Sequence, residues 1–467
     1  MYYRLKSDYM LRGWKFLPTG VINRDTREYK FLPKEKFSVL KLCDGQNNSD
    51  SAIFDDKQRK IIEEFFADGY VEAKEEISPL EDVQKYKFYD NRFMETAHWS
   101  ITGKCNCKCR HCNMSAPQHK VEEFTHEQCM DIISQMESCG IQKVSLTGGE
   151  VLVRKDFWEI VDALIAADIK IYKIFTNGLL INEKFISELD KRNLKPEIQI
   201  SFDGIGGCHD WIRGVNGAEK LALCAIKLLT EKNFYVRCLF ALHKGNIKYL
   251  RETVKKLANC GVKSLFVTPI TVDGEAVGMK NEILSAEEVY KVIIDYIPQY
   301  IADGVPLQAN LASVFYGISP SEYMIPFVKA PENVDIDKNC LCHSIRNSIR
   351  INFEGFVMPC PAMGFDENAK KHFSTIFNKP LKELLNDGAY MNFINSRMSD
   401  YFKKNPKCAA CEYKNRCSGG CRGNAMANNG DGDLFGIDKG ACLFFKGGYY
   451  DKVLALAEKF NLKYIHA

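Results

Sequence analysis

Four cysteines fall within eight residues of this chain, Cys105-Asn106-Cys107-Lys108-Cys109-Arg110-His111-Cys112, and three of them, Cys105, Cys109 and Cys112, form a C-x3-C-x2-C triplet. Three thiolates on one short loop can wrap a [4Fe–4S] cube, which normally takes four. The fourth iron is then left open to an exogenous ligand. Farther along comes Thr147-Gly148-Gly149-Glu150. Paired glycines let a backbone approach a ligand closely, since any Cβ would intrude. The adjacent carboxylate can accept hydrogen bonds from an ammonium or a hydroxyl.

An open iron beside such a turn suits S-adenosylmethionine (SAM), whose amino and carboxylate groups can chelate it. The arrangement resembles the radical SAM superfamily. The resemblance implies that Cys105, Cys109 and Cys112 hold the reducible cluster and that Cys107 is a spare thiol. It also implies that Gly148, Gly149 and Glu150 contact SAM. His111 stands where a hydrophobic or aromatic residue usually precedes the last cysteine, and reads as packing near the adenine.

The elements that must position these residues alternate in type. Strand-like runs at His98–Thr102, Lys143–Thr147, Lys170–Thr176, Glu197–Phe202, Tyr235–Leu242 and Lys263–Pro269 are separated by helical periodicities such as Glu127–Ser138 and Lys220–Lys232. Six βα units in series predict an α/β fold, a partial (β/α)6 TIM-like barrel. Barrel enzymes build their sites at the carboxyl ends of strands. The cysteine loop, Gly148-Gly149-Glu150, Asn177, Ser201 and Asp203 all fall there. Asn177, Ser201 and Asp203 read as holding SAM oxygens, with strand-end capping as the plainer alternative. His209-Asp210-Trp211-Ile212-Arg213-Gly214 resembles a stretch common in SPASM enzymes. Arg213 reads either as a bidentate partner of the SAM carboxylate or as a salt bridge bracing its loop.

A second cysteine field fills the C-terminal third: Cys340, Cys342, Cys360, Cys408, Cys411, Cys417, Cys421 and Cys442. Twelve residues separate Cys342 from Gly355 and four more precede Cys360, before Cys408-x2-Cys411-x5-Cys417-x3-Cys421 and, twenty residues on, Cys442. A zinc ribbon would want two C-x2-C pairs, and only one occurs. The spacing resembles the SPASM extension, which holds two auxiliary iron–sulfur clusters. The resemblance implies one cluster on Cys408, Cys411, Cys417 and Cys442, and another on Cys342, Cys360 and Cys421, whose fourth position is either taken by the nearby Cys340 or left open to substrate. Three [4Fe–4S] clusters are therefore expected.

Composition sets the frame. At 467 residues with net charge +3, the chain gives no argument for nucleic acid, and every apolar stretch is broken by charges. No signal peptide or membrane segment is legible, so a cytoplasmic protein is expected. Nineteen cysteines in such a chain point to metal rather than disulfides. Four parts are expected: residues 1–90 as a winged-helix-like α+β domain, 91–275 as the barrel, 276–339 as a bridging helical region, and 340–467 as the cysteine-rich iron–sulfur SPASM domain with a C-terminal helix. In the first part, Tyr2–Leu5 and Val21–Phe31 read as strands, Lys34–Cys43 and Asp55–Ala67 as helices, and Glu72–Glu81 as a charged linker.

The first part resembles peptide-recognition domains fused to peptide maturases. The resemblance implies an oxidoreductase that modifies a ribosomally made peptide carrying a leader, with flavodoxin or ferredoxin as electron donor. An intramolecular thioether or carbon–carbon crosslink is the reading favoured. Epimerisation is an alternative, as is formylglycine formation of the sulfatase-maturase type. The latter is disfavoured because Pro361 follows Cys360, where those enzymes carry an aspartate. A non-catalytic electron-transfer protein would leave Gly148-Gly149-Glu150 idle.

Overall fold

A computed structural model describes the chain except residues 52, 117–122, 331–333, 343, 364–366, 387, 430–432 and 467. Six parallel strands lie side by side in chain order: Thr96–Thr102, Lys143–Gly148, Lys170–Thr176, Glu197–Ser201, Val236–Leu242 and Ser264–Pro269. They are parallel because each is followed by a helix that returns the chain to the starting edge. Strands covered on both faces are rich in branched apolar residues, as at Ile198 and Ile200, both fully buried. The helices begin on side-chain caps. Thr125 forms a capping box with Gln128 ahead of His126–Ser138, and Asn182 caps Glu183–Lys191. The barrel expectation is met in type and order, with strand ends moved by a residue or two.

The sheet continues at both edges. Beyond the sixth strand, Gln308–Leu311 adds in parallel, followed by the antiparallel strands Phe315–Ser319 and Glu322–Met324 and finally Lys463–Tyr464. The bridging region is therefore only partly helical: helix Ala286–Ala302 leads into three strands. These strands are short and interrupted by Asn310, Ser313 and Gly317, which hides their alternation in the sequence. At the opposite edge, Ser348–Ile351 pairs in parallel with the first barrel strand, with Ile349 beside Ala97 and Ile351 beside Trp99. One continuous apolar core runs through the barrel and on to Phe444, Phe445 and Val453.

The N-terminal part holds two small sheets. Tyr2–Leu5 lies between Asp44–Asn48 and Val71–Lys74, and helices Lys34–Leu42 and Asp56–Ala67 pack on this sheet through Phe37, Leu40, Ile62 and Phe65. The second sheet orders Tyr29–Phe31, Leu17–Asn23, Tyr9–Trp14 and Lys87–Tyr89. The expected strand Val21–Phe31 is thus a hairpin. Asn23 Oδ1 accepts from the N–H groups of Asp25 and Thr26, and Arg27 takes a left-handed φ of 61°. The stretch read as a linker begins inside a strand, Val71–Lys74. The second sheet is fastened to the barrel by Arg27–Asp168 at 2.5 Å and by Asn347 Nδ2 donating to the Tyr29 hydroxyl at 3.2 Å.

Candidate active site

The cysteine loop leaves the first strand and is held from two sides. On one side, Gly149 N–H donates to Thr102 O at 3.0 Å and Glu150 N–H to Lys104 O at 2.9 Å. A Cβ on Gly148, whose φ is +147°, would strike the Thr102 carbonyl, and one on Gly149 would strike that of Lys104. The close approach these glycines permit is to the cysteine loop itself. On the other side, Lys108 N–H donates to Arg213 O at 3.0 Å and Arg110 N–H to Ile212 O at 2.8 Å. Gly214, at φ +64°, has no room for a Cβ, which would sit 2.5 Å from Lys108 O.

Three of the loop's sulfurs lie together. The Cys107 thiol hydrogen-bonds with both Cys105 and Cys109, and Cys107 N–H donates to Cys105 Sγ at 3.4 Å. Cys112 accepts from Ala116 N–H at 3.5 Å. The hydrogen bond from Cys107 lowers the Cys109 thiol to about 6 against the effect of burial, and Arg213 acts in the same direction. Burial pushes the Cys112 thiol up. Among the described residues no three or more His, Cys, Asp or Glu side chains are grouped to hold a metal ion. A cubane instead takes one thiolate at each of several separate iron corners.

The polar residues at the strand ends have definite tasks. Glu150 is fully buried, and its carboxylate accepts from Thr176 Oγ1 at 2.9 and 3.0 Å, Asn177 N–H at 2.7 Å and Leu152 N–H at 3.1 Å. It clamps the second strand end to the third. Burial raises its carboxyl to about 7, despite these donors. Asp203 is also fully buried: Arg213 Nε and Nη2 both reach its Oδ2 at 2.7 Å, and Ala241 N–H donates to Oδ1 at 2.9 Å. Burial would raise this carboxyl, but Arg213 and His209 hold it far below the carboxylate range. Arg213 thus makes a salt bridge that braces its loop. Its remaining nitrogen, Nη1, points at Cys109 Sγ, 3.6 Å away.

Asn177 Nδ2 donates to Asn106 Oδ1 at 2.7 Å and to Cys107 Sγ at 3.3 Å. Ser201 is half-buried, and its hydroxyl makes no hydrogen bond among the described residues. His111 carries a buried Nδ1 without a partner, and burial, then Arg213, lowers its imidazole to about 4. A cavity of about 510 Å³ opens beside the loop, lined by Lys108, Cys109, Arg110, Trp211, Glu275 and residues 277–282. A second, of about 580 Å³, lies beyond the sixth and seventh strands and reaches Asn424 and Gly440. Its lining, which includes Pro269, Ile270, Asn310 and Phe327, contains no charged side chain.

In the C-terminal field, Cys408, Cys411, Cys417 and Cys442 line a single small cavity together with Phe402, Tyr413 and Phe445. Lys414 and Lys446 complete the charged part of this lining. Tyr401 Oη lies 3.4 Å from Cys408 Sγ, and the Arg422 guanidinium stacks 4.6 Å over the Tyr401 ring. Cys342, Cys360 and Cys421 interact electrostatically with one another. Beside them lies the buried Arg350, whose Nη2 donates to Ser100 Oγ at 3.0 Å. Cys340 has other partners: Arg397 Nη1 donates to its sulfur at 3.4 Å, and Arg346 Nη1 also contacts it.

Asp438 was not singled out from the sequence. It caps helix Lys439–Lys446 through Ala441 N–H and accepts from Cys421 N–H at 2.8 Å, so it braces both cysteine sets. Its cue is an aspartate four residues before Cys442 at a helix start.

Residues 99–275 match the model of the Radical SAM superfamily, and residues 340–412 that of SPASM, an iron–sulfur cluster-binding domain. The chain carries a radical SAM domain and a SPASM extension; it is an enzyme whose domains bind iron–sulfur clusters and SAM. Among curated relatives, mycofactocin maturase MftC of Mycolicibacterium smegmatis is 26% identical over 69% of this chain and 76% of its own length. An AdoMet-dependent heme synthase of Nitratidesulfovibrio vulgaris is 24% identical over 71% and 88%. In shape, Streptococcus suis SuiB bound to precursor peptide SuiA matches 94% of this chain and 99% of its own, with a TM-score of 0.66 at 16% identity. No helix among the described residues is long and apolar enough to cross a membrane.

Proposed function

We propose that this enzyme modifies a ribosomally made precursor peptide by closing an intramolecular thioether or carbon–carbon crosslink. The observation that carries the reading is the extent of the likeness to SuiB. A match over 94% of the chain reaches well beyond the radical SAM and SPASM segments and into the N-terminal part. A recognition domain outside the barrel suits a long substrate whose leader is held away from the reacting segment. A tetrapyrrole substrate would give the N-terminal part no task.

Cys105, Cys109 and Cys112 would hold the SAM cluster, Cys408, Cys411, Cys417 and Cys442 a second, and Cys342, Cys360 and Cys421 a third. With a reduced cluster and SAM bound, the site supplies a 5′-deoxyadenosyl radical that abstracts one substrate hydrogen. The residues of this chain hold and shield that chemistry. Glu150 and Asn177 fix the mouth of the second and third strands, Ser201 offers a hydroxyl to the nucleoside, and Arg213 holds the cluster loop from behind. The uncharged cavity between Pro269 and Asn424 suits an apolar or amide-rich segment of peptide. Held by the C-terminal cysteines, auxiliary clusters would offer an acceptor for the second electron, and a flavodoxin or ferredoxin would deliver the first.

Incubation with SAM, dithionite and the precursor tests the reading. A crosslinked product is about 2 Da lighter than its precursor and resists thiol reduction, unlike a disulfide. An unchanged mass with an inverted centre would move the chain to the epimerases. A hydrazine-reactive carbonyl would mark formylglycine, and Pro361 after Cys360 argues against it.

A further inference from the structure

We propose that Cys107 is a displaceable fourth ligand of the cluster on Cys105, Cys109 and Cys112, closing the open iron until SAM arrives. The inference rests on the reading of those three cysteines as the cluster ligands. Cys107 is 2% exposed, yet it belongs to none of the buried apolar clusters among the described residues. Cys129, Cys139 and Cys238, by contrast, pack inside the main core. The neighbours of the Cys107 sulfur are the thiols of Cys105 and Cys109 and the amide of Asn177. A thiol packed only for volume would sit among carbon atoms. This one faces the two flanking ligands from the middle of their loop.

The Asn177 amide is a third partner of the same sulfur, beside the two thiols. Its Nδ2 is 3.3 Å from Cys107 Sγ, while the Asn177 backbone is fixed by Glu150. SAM carries an ammonium that must lose one proton before its nitrogen can bind iron. In the exchange, Cys107 would give up its bond to the cluster, and the methionyl nitrogen and carboxylate would take the place it leaves. The ammonium proton passes to the departing thiolate, and no electron moves. The resulting thiol rests against Asn177. Before the exchange the cluster carries one more thiolate and thus more negative charge, which disfavours its reduction. Electron delivery is thereby tied to the presence of SAM.

The test compares the reconstituted full-length enzyme with Cys107→Ala and Cys107→Ser variants, by electron paramagnetic resonance of the reduced protein and by SAM binding. A ligand that must be displaced lowers apparent affinity, so both variants are expected to bind SAM about tenfold more tightly than the parent. Without SAM, the parent and variant spectra differ; with saturating SAM, they coincide. Unchanged or weaker SAM binding in both variants, or identical spectra without SAM, overturns the inference while the cluster assignment stands. A parent spectrum that does not respond to SAM at all overturns the cluster assignment itself.

Discussion

Arg213 joins the buried carboxylate of Asp203, 2.7 Å from its Nε, to the sulfur of Cys109, 3.6 Å from its Nη1. A charge taken out of water is thus paired on one side and turned toward a cluster ligand on the other. Asp203→Asn leaves the guanidinium buried without its counter-charge, which costs about 3–5 kcal/mol. Chemical denaturation is expected to show that loss. Arg213→Lys keeps the charge but loses the fork, so the donor to Cys109 is lost. Because hydrogen bonds to cluster sulfurs raise reduction potential, this variant is expected to keep its iron and show a more negative potential in a redox titration.

Glu150 gives the folded protein a pH signature. Its carboxyl is raised by burial from 4.5 to about 7. The folded state therefore holds a proton that the unfolded chain has already released, and stability falls as pH rises through this window. The loss amounts to about 3 kcal/mol between roughly pH 4.5 and pH 7. Glu150→Gln is expected to flatten that slope. Denaturation midpoints measured across the window check it, and an equal slope in both proteins would refute the assignment.

Gly149 is tested by the smallest possible addition. In Gly149→Ala the new methyl meets the Lys104 carbonyl, so the cysteine loop must move. Overpacking of this kind costs about 1–3 kcal/mol. The expected result is a protein that retains its auxiliary iron and loses SAM cleavage to 5′-deoxyadenosine, measured by chromatography.

Iron counting separates the cysteine sets. The anaerobically reconstituted enzyme is expected to hold about twelve irons, and replacing Cys105, Cys109 and Cys112 together by alanine removes about four. Replacing Cys408, Cys411, Cys417 and Cys442 removes a different four. In that second variant SAM cleavage persists while product formation fails. Stoichiometric zinc in the C-terminal field would refute the iron assignment there.

Periodic segments were readable from sequence because apolar residues recur at the period of the element, as at Ile198 and Ile200 in Glu197–Ser201, both fully buried. Tyr9–Trp14 and Asp44–Asn48 were missed. The first is broken by Arg12 and Gly13, and the second, Asp-Gly-Gln-Asn-Asn, has turn composition and is held as a strand only by pairing with Tyr2–Leu5. The candidate site residues were legible by type, but their partners were not. That Glu150 accepts from Asn177 and Thr176, and that Asp203 pairs with Arg213, could not be read from their spacing. Those choices depend on which strand ends become neighbours, a property of the closed sheet rather than of any local spacing.

Ser348–Ile351 lies along the outer side of Thr96–Thr102. Without it, the first barrel strand would present a row of bare N–H and C=O groups, the kind of border at which sheets of separate molecules join. The C-terminal domain is therefore no detachable accessory. A shortened gene product ending before this strand would carry the cysteine loop at the end of an adhesive margin, prone to polymerise before it could be loaded with iron.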